Sequence, residues 1–177
     1  ALSLVQGYML YFLQDAIGYS RLFPGHRAEE GLAILTTVST ISNVTFALLG
    51  GILSDRLKRR KLFACGAALT ISVAVLIFSF TPSWPIMLGA YLLLGCGADC
   101  FYAVDIALVT QVLPSQRNAG KDLGILNLAN TLPQALAPML AFVSLGPSHM
   151  DFKAFFTVAA ALAMAGGLAI LPIRGVR

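Results

Sequence analysis

Two aspartates in the fourth apolar run of the chain, about residues 86–112, stand out for their chemistry. Asp99 lies near the middle of the run and Asp105 lies closer to its end. At about 100° of helical rotation per residue, both acids share an arc of about 120° with Tyr91 and Tyr102. Because no Lys or Arg lies deep in any apolar run, neither carboxylate has a buried cationic partner. In low dielectric such a group takes up a proton or binds a cation. Alternative explanations are a partner outside this chain or a carboxyl group hydrogen-bonded to a tyrosine.

Polar side chains also form stripes on other apolar runs. The second run has hydroxyl and amide groups spaced i, i+3, i+4 and i+7, at Thr36, Ser39, Thr40 and Asn43. The fifth run has amides on one helical face, at Asn127, Asn130 and Gln134. Polar groups inside a membrane face either a water-filled cavity or another helix. Both interpretations stay open for these stripes.

The first run places aromatic and polar groups on neighbouring positions of its helical wheel. Tyr8, Tyr11 and Asp15 follow i, i+3 and i+7, and Gln14 lies about 60° from Tyr11. Tyr8, Tyr11 and Gln14 are candidate contacts for a hydroxyl-bearing solute. The alternative is an aromatic belt at the membrane surface, where tyrosine is enriched. Asp15 lies near the outer end of the run, and we interpret it as interfacial.

The composition predicts an integral membrane protein. The chain has 177 residues, of which 58% are hydrophobic and 11% are charged, and its mean hydropathy is +0.81. Soluble domains carry about a quarter charged residues. Six apolar runs are long enough to cross a hydrocarbon core as helices; they lie at about 1–18, 31–53, 62–80, 86–112, 123–145 and 154–173.

The distribution of cations predicts the orientation of these spans. If the even-numbered runs end in the cytoplasm, that side receives nine cations, namely Arg56, Lys58, Arg59, Arg60, Lys61, Arg117, Lys121, Arg174 and Arg177. The other side keeps three, namely Arg21, Arg27 and Lys153. This is a positive-inside bias. We therefore predict an all-α protein of six transmembrane helices in the plasma (inner) membrane, with the loop 55–61 on the cytoplasmic side. Residues 1–80 and 81–177 would be two three-helix repeats of inverted topology.

The stretch GGILSDRLKRRK, residues 50–61, resembles the loop signature of the major facilitator superfamily, G-x-L-x-D-R-x-G-R-[RK]. The matching positions are Gly51, Leu53, Asp55, Arg56, Arg59 and Arg60. Lys58 stands where the signature has its second glycine.

LPSQR, ending at Arg117, resembles the turn after the fourth helix of a half in the same family. The family's first half usually has an arginine in its fourth span, and its absence here indicates the C-terminal half. YFLQDAIGYSRLFPG loosely resembles the glycoside–pentoside–hexuronide cation symporters.

The resemblance implies half of a twelve-helix transporter that works by alternating access, with the N-terminal six-helix half as its partner. It implies secondary transport of a small solute coupled to a proton or sodium ion. On this interpretation Asp99 and Asp105 are ion-coupling residues. The contacts for the solute would come from Tyr8, Tyr11, Gln14, Asn43, Tyr102, Asn127, Asn130 and Gln134. The cytoplasmic gate would contain Gly51, Asp55, Arg56, Arg59 and Arg60.

The side chains facing the predicted cavity favour a sugar or glycoside, because amides and hydroxyls both donate and accept hydrogen bonds. A proton-coupled multidrug exporter and a non-transporting membrane scaffold are the alternatives. We predict neither an enzyme nor a cofactor, because the sequence has no P-loop and its two histidines lie in loops. Cys96 and Cys100 share a helix face but lack further ligands, so we predict no metal site. The net charge of +4 is modest and its cations cluster beside the spans, so we predict no binding of nucleic acid.

Overall fold

The computed structural model describes residues 1–57, 60–80, 83–112, 119–145 and 151–170. Within its helices, the model does not describe the side chains at 51, 53–57, 60–61, 105–112, 119, 122–123, 126 and 144–145. Helix α1 (Leu2–Tyr11) continues as a π-helical segment (Phe12–Ile17) and is followed by the short α2 (Tyr19–Leu22). The long helices are α3 (Ala28–Leu57), α4 (Arg60–Phe80), α5 (Trp84–Val112), α6 (Ala119–Leu145) and α7 (Phe152–Ala169).

Within the described residues, each of the six apolar runs coincides with a helix, which confirms the all-α prediction. By length and composition alone, four stretches within the described residues qualify as candidate membrane spans: Ala28–Gly50, Leu62–Phe80, Trp84–Val104 and Phe152–Ala169. The first run is helical but divided between α and π geometry. The fifth run forms α6, with Pro133 and Pro138 inside the helix. The inverted relation between residues 1–80 and 81–177 stays a prediction.

Helix α4 lies at the centre of the bundle, between α5 and α7. Gly97 of α5 makes the close approach of α4 and α5 possible. A Cβ atom added at Gly97 would lie 2.9 Å from Ile71 Cγ1 and 3.0 Å from the carbonyl oxygen of Ala67. On the other side of α4, aromatic rings from α1, its π-helical extension and α7 interlock. Phe12, for example, meets Phe156 edge-to-face with 4.8 Å between ring centroids.

Helices α3 and α6 lie at the edges of the bundle. Helix α3 packs mainly on α5, and α6 makes a small number of contacts with α1 and α7. Only 6% of the apolar window of α3 is buried, against 44% for the windows of α4 and α5. The α3–α5 pair is therefore the junction that joins the second apolar run to the rest of the bundle.

Candidate functional site

Asp99 lies at the interface between α3 and α5 and is only 7% exposed. The Asn43 side chain of α3 donates from Nδ2 to Asp99 Oδ1 across this interface, at 2.6 Å. Asp99 Oδ2 is buried and has no hydrogen-bond partner among the described residues. One oxygen of the carboxyl group is thus held by a neutral donor and the other is left open.

Close packing on both sides of Asp99 sets this geometry. One turn before it, Ser39 Oγ lies 3.2 Å from the position that a Cβ atom at Gly95 would occupy. Just after it, a Cβ atom at Gly50 would lie 2.9 Å from Cys100 Sγ and 3.1 Å from Cys100 Cα. The Cys100 thiol also faces the carbonyl oxygen of Phe46 at 3.6 Å, as a weak donor. Helices α3 and α5 therefore approach closely at two glycines, Gly50 and Gly95.

The open carboxyl oxygen decides what this site can do chemically. An ionised carboxylate away from water costs several kcal/mol unless its charge is compensated. Among the described residues no Lys or Arg pairs with Asp99, and its hydrogen-bond partner is Asn43 rather than a tyrosine. The remaining ways to compensate the charge are a proton on the carboxyl group or a small cation beside it.

The other members of the predicted arc on α5 have different surroundings. Tyr91 is buried in the hydrophobic core and packs near Phe78. Tyr102 is 52% exposed. Asp105 belongs to α5, but its side chain lies outside the described residues. The helical wheel therefore grouped residues that the fold separates into a core residue, an interface acid and an exposed ring.

The candidate residues of the first run lie at the junction of α1 and its π-helical extension. Tyr8 packs edge-to-face on Phe155, with 5.2 Å between centroids, so it is largely a packing residue. Tyr11 and Gln14 are exposed. Asp15 is exposed at the rim of a cleft of about 290 Å³. The cleft is lined by Phe12, Asp15, Ala16, Phe78, Ser79, Phe152 and Lys153.

The polar stripes of α3 and α6 differ in their hydrogen bonding. In α3 the hydroxyls bond to their own helix: Thr36 Oγ1 donates to the Leu32 carbonyl at 3.0 Å, and Thr40 Oγ1 donates to the Thr36 carbonyl at 2.8 Å. In α6 the three amides are exposed, and none has a side-chain hydrogen bond within the described part of the chain; they are Asn127, Asn130 and Gln134. The two threonine hydroxyls are therefore satisfied within α3, whereas the three amides of α6 are exposed.

The predicted gate residues lie almost entirely outside the description. Arg59 is not described, and only the backbone is described at Gly51, Asp55, Arg56 and Arg60. Among the described residues, no group of three His, Cys, Asp or Glu side chains is arranged to hold a metal ion.

Sequence reasoning placed Asn43 among the solute contacts and did not foresee that it pairs with Asp99. A signal for the pair was available: Asn43 lies near the middle of the second run and Asp99 near the middle of the fourth. Polar groups at the same depth of two neighbouring spans can hydrogen-bond to each other. The sequence alone does not show which spans are neighbours.

A comparison with protein families matches the model of the Major Facilitator Superfamily over residues 2–176. Comparisons with curated proteins and with solved structures found no significant match. The match covers almost the whole chain and agrees with the helical bundle and its apolar spans. Members of this family are membrane transporters of small-molecule solutes. The chain is therefore an integral membrane protein that belongs to the major facilitator superfamily.

Proposed function

We propose that this chain is the C-terminal six-helix half of a secondary active transporter. In this proposal Asp99 binds the coupling ion, a proton or a sodium ion, and the full protein moves a small polar solute by alternating access. Rocking of two helical halves about a central site is a common way to build such carriers. The N-terminal half of the same protein would complete the pathway.

The state of Asp99 is the observation that carries this proposal. Its buried carboxyl group has one oxygen held by Asn43 and one oxygen without a partner among the described residues. Acids of this kind inside membranes typically belong to ion pathways, because their burial is costly unless an ion compensates the charge. A static scaffold has no need for such a group. Asp105 lies six residues further along α5, and we propose it as a second coupling acid nearer the cytoplasm.

We propose a sugar or glycoside as the solute. The support is the set of exposed groups that donate and accept hydrogen bonds, namely Tyr11, Gln14, Tyr102, Asn127, Asn130 and Gln134. Amides and phenols match the hydroxyl groups of sugars in both roles. Tyr8 belongs to the proposed solute set as well, although it packs on Phe155. Asn43, predicted as a solute contact, we assign instead to Asp99, to which it is hydrogen-bonded.

The second candidate function is proton-coupled export of apolar drugs. Its support is the exposed apolar surface of α6, where Leu128, Met139 and Phe142 are more than 60% exposed. Binding surfaces rich in Met and aromatic groups adapt to varied apolar ligands. A non-transporting scaffold is the third candidate, and uptake measurements separate all three.

We propose further that the protein resides in the plasma (inner) membrane with the loop 55–61 in the cytoplasm. The cations of that loop would anchor it at the anionic inner leaflet. Asp55, Arg56, Arg59 and Arg60, together with Gly51, would form a gate that closes on the cytoplasmic side. The support for this gate is the match of GGILSDRLKRRK to the family's signature.

The test is solute accumulation in vesicles that contain the full-length protein, with proton and sodium gradients imposed separately. Asp99→Asn is expected to lower gradient-driven accumulation by about tenfold or more, because a neutral side chain no longer binds and releases the ion. The matched control is Asp151→Asn. Asp151 is an exposed N-cap that accepts a hydrogen bond from the Ala154 amide, and asparagine caps a helix equally well. Accumulation that is unchanged in Asp99→Asn would refute the proposal.

A further inference from the structure

The helices on both sides of Asp99 are continuous, and this bears on which ion the site accepts. Helix α3 runs from Ala28 to Leu57 and α5 from Trp84 to Val112 without a break. Sodium sites in secondary transporters typically draw on backbone carbonyls that a broken helix sets free. In an unbroken helix those carbonyls accept hydrogen bonds from the following turn. The backbone around Asp99 is therefore poorly suited to hold a sodium ion.

Side-chain oxygens near Asp99 are also few. Hard cations in proteins typically gather about six oxygen ligands. Across the interface the described residues offer the Asn43 amide, hydrogen-bonded to Asp99, and the Ser39 hydroxyl one turn away, beside Gly95. On α5 itself, the described polar groups within one turn of Asp99 are the thiols of Cys96 and Cys100, which are soft ligands, and the phenol of Tyr102, which is 52% exposed. This set is too small and too mixed for a sodium ion.

The charged and titratable groups around Asp99 can be named for each packed helix. On α5 they are Cys96, Cys100, Tyr91 and Tyr102. From α3, the described side chains that face α5 are uncharged, and from α4 the titratable group among the described side chains is Cys65. Asp105 is a further acid of α5, but its side chain lies outside the described residues. Because thiols and phenols ordinarily lose their protons only above neutral pH, the carboxyl group of Asp99 is the described group at this interface that changes its charge at neutral pH or below.

Asn43 can serve both protonation states of Asp99. Its amide has an NH₂ group that donates and a carbonyl oxygen that accepts. With Asp99 ionised, Nδ2 donates to Oδ1, as in the structure. With Asp99 protonated on Oδ1, a half-turn of the amide brings its carbonyl oxygen opposite the acid proton. In that state Oδ2 is the carbonyl oxygen of a neutral acid. Burying an uncharged oxygen without a hydrogen-bond partner costs less free energy than burying a charged one.

We propose that Asn43 and Asp99 together form a proton-binding site, in which the Asn43 amide donates to the carboxylate and accepts from the acid. The proton comes from water on one side of the membrane and returns to water on the other side, with no redox change. The proposal rests on the proposed function and assigns the proton, rather than sodium, as the coupling ion. Asn43 acts here as a positioning residue, through Asp99.

The first experiment compares gradients in vesicles with the full-length protein. An inward proton gradient is expected to drive accumulation, and a sodium gradient at equal pH on both sides is expected not to. Sodium-driven accumulation that disappears in Asp99→Asn would overturn the proton assignment while the proposed function stands. Accumulation that depends on neither gradient nor on Asp99 would refute the proposed function itself.

The second experiment removes the amide while nearly keeping its volume. Asn43→Leu is expected to lower proton-driven accumulation by about tenfold, because hydrogen bonds to charged groups are among the stronger ones. Exchange of labelled for unlabelled solute at equal pH is expected to persist, since it does not require Asp99 to lose its proton. Asn43→Gln keeps both amide roles and is expected to retain most of the accumulation. The matched control is Thr40→Val, because the Thr40 hydroxyl bonds to its own helix.

Infrared spectroscopy of the purified full-length protein reads the site directly. The carbonyl stretch of the protonated carboxyl group is expected to disappear in Asp99→Asn and to shift in frequency in Asn43→Leu, but not in Thr40→Val. If Asn43→Leu lowers exchange and accumulation equally and leaves the carbonyl band in place, Asn43 is only a packing residue and the proposal is wrong. A shifted band with exchange retained supports it.

Discussion

Two helix pairs in this bundle place polar side chains across their interfaces, and they differ in how far those groups are satisfied. Between α4 and α7, Ser72 Oγ donates to the Ala160 carbonyl at 3.0 Å, and Ser79 Oγ lies 2.9 Å from both the Lys153 carbonyl and the Thr157 hydroxyl. Between α3 and α5, Asp99 has one oxygen hydrogen-bonded and, within the part of the chain that the structure describes, one oxygen without a partner.

The difference follows from what a helix can offer a neighbour. Its backbone N–H groups are consumed within the helix, whereas its carbonyl oxygens keep a second lone pair. A serine hydroxyl is a donor, so any facing helix can satisfy it. A carboxylate requires donors, and a facing helix supplies them only through side chains. Among the described residues, the α4–α7 interface therefore satisfies its buried hydroxyls, whereas the α3–α5 interface leaves one oxygen of Asp99 without a donor.

The largest effect is expected when an acid is placed where the facing helix offers a carbonyl oxygen and not a hydrogen-bond donor. Ser72→Asp puts a carboxylate opposite the Ala160 carbonyl, inside a buried interface. We expect a loss of at least about 3 kcal/mol in the free energy of unfolding, because an uncompensated buried charge is that costly. Unfolding of the full-length protein in mixed detergent micelles measures the change, and Ser72→Ala is the control for the lost hydroxyl. A stable Ser72→Asp protein would contradict the donor argument.

An intermediate effect is expected where α3 meets α5. Gly50→Ala adds a methyl group 2.9 Å from Cys100 Sγ and 3.1 Å from Cys100 Cα, too close without movement of the helices. We expect a loss of about 1–3 kcal/mol in the free energy of unfolding, together with reduced gradient-driven accumulation, because the Asn43–Asp99 bond is strained. Gly66→Ala is the matched control, since nothing lies within 4 Å of a Cβ atom at that position of α4. Equal effects at Gly50 and Gly66 would argue against close α3–α5 packing.

The smallest effect is expected from removing a saturated hydroxyl. Ser79→Ala deletes two hydrogen bonds between α4 and α7, and such bonds in membranes average about 0.6 kcal/mol. For the two bonds together, the free energy of unfolding should fall by about 1 kcal/mol in the same micelles. The ratio of proton-driven accumulation to exchange should stay as in the wild type. Ser42→Ala, whose hydroxyl bonds within α3, is the comparison. A change in the accumulation ratio in Ser79→Ala would mean that α4–α7 takes part in coupling.

Hydropathy and charge in the sequence predicted the helices, and the family resemblance predicted the match over residues 2–176. The prediction of an acid without a buried cationic partner holds for Asp99 within the described residues. The sequence alone predicts these features, because a span in an apolar solvent must form its backbone hydrogen bonds within itself. Span length and side-chain polarity are therefore local properties of the chain.

The tertiary structure decided which of the polar residues meet. The helical wheel placed Asp99 and Tyr102 on one arc, but α3 covers the first and leaves the second exposed. It grouped Tyr8 with Tyr11, but Phe155 covers one and not the other. Asn43 lies 56 positions before Asp99, and no local pattern pairs residues at that separation. The pair exists because α3 and α5 are neighbours, which is decided by the packing of the whole bundle and not by the composition of any single helix.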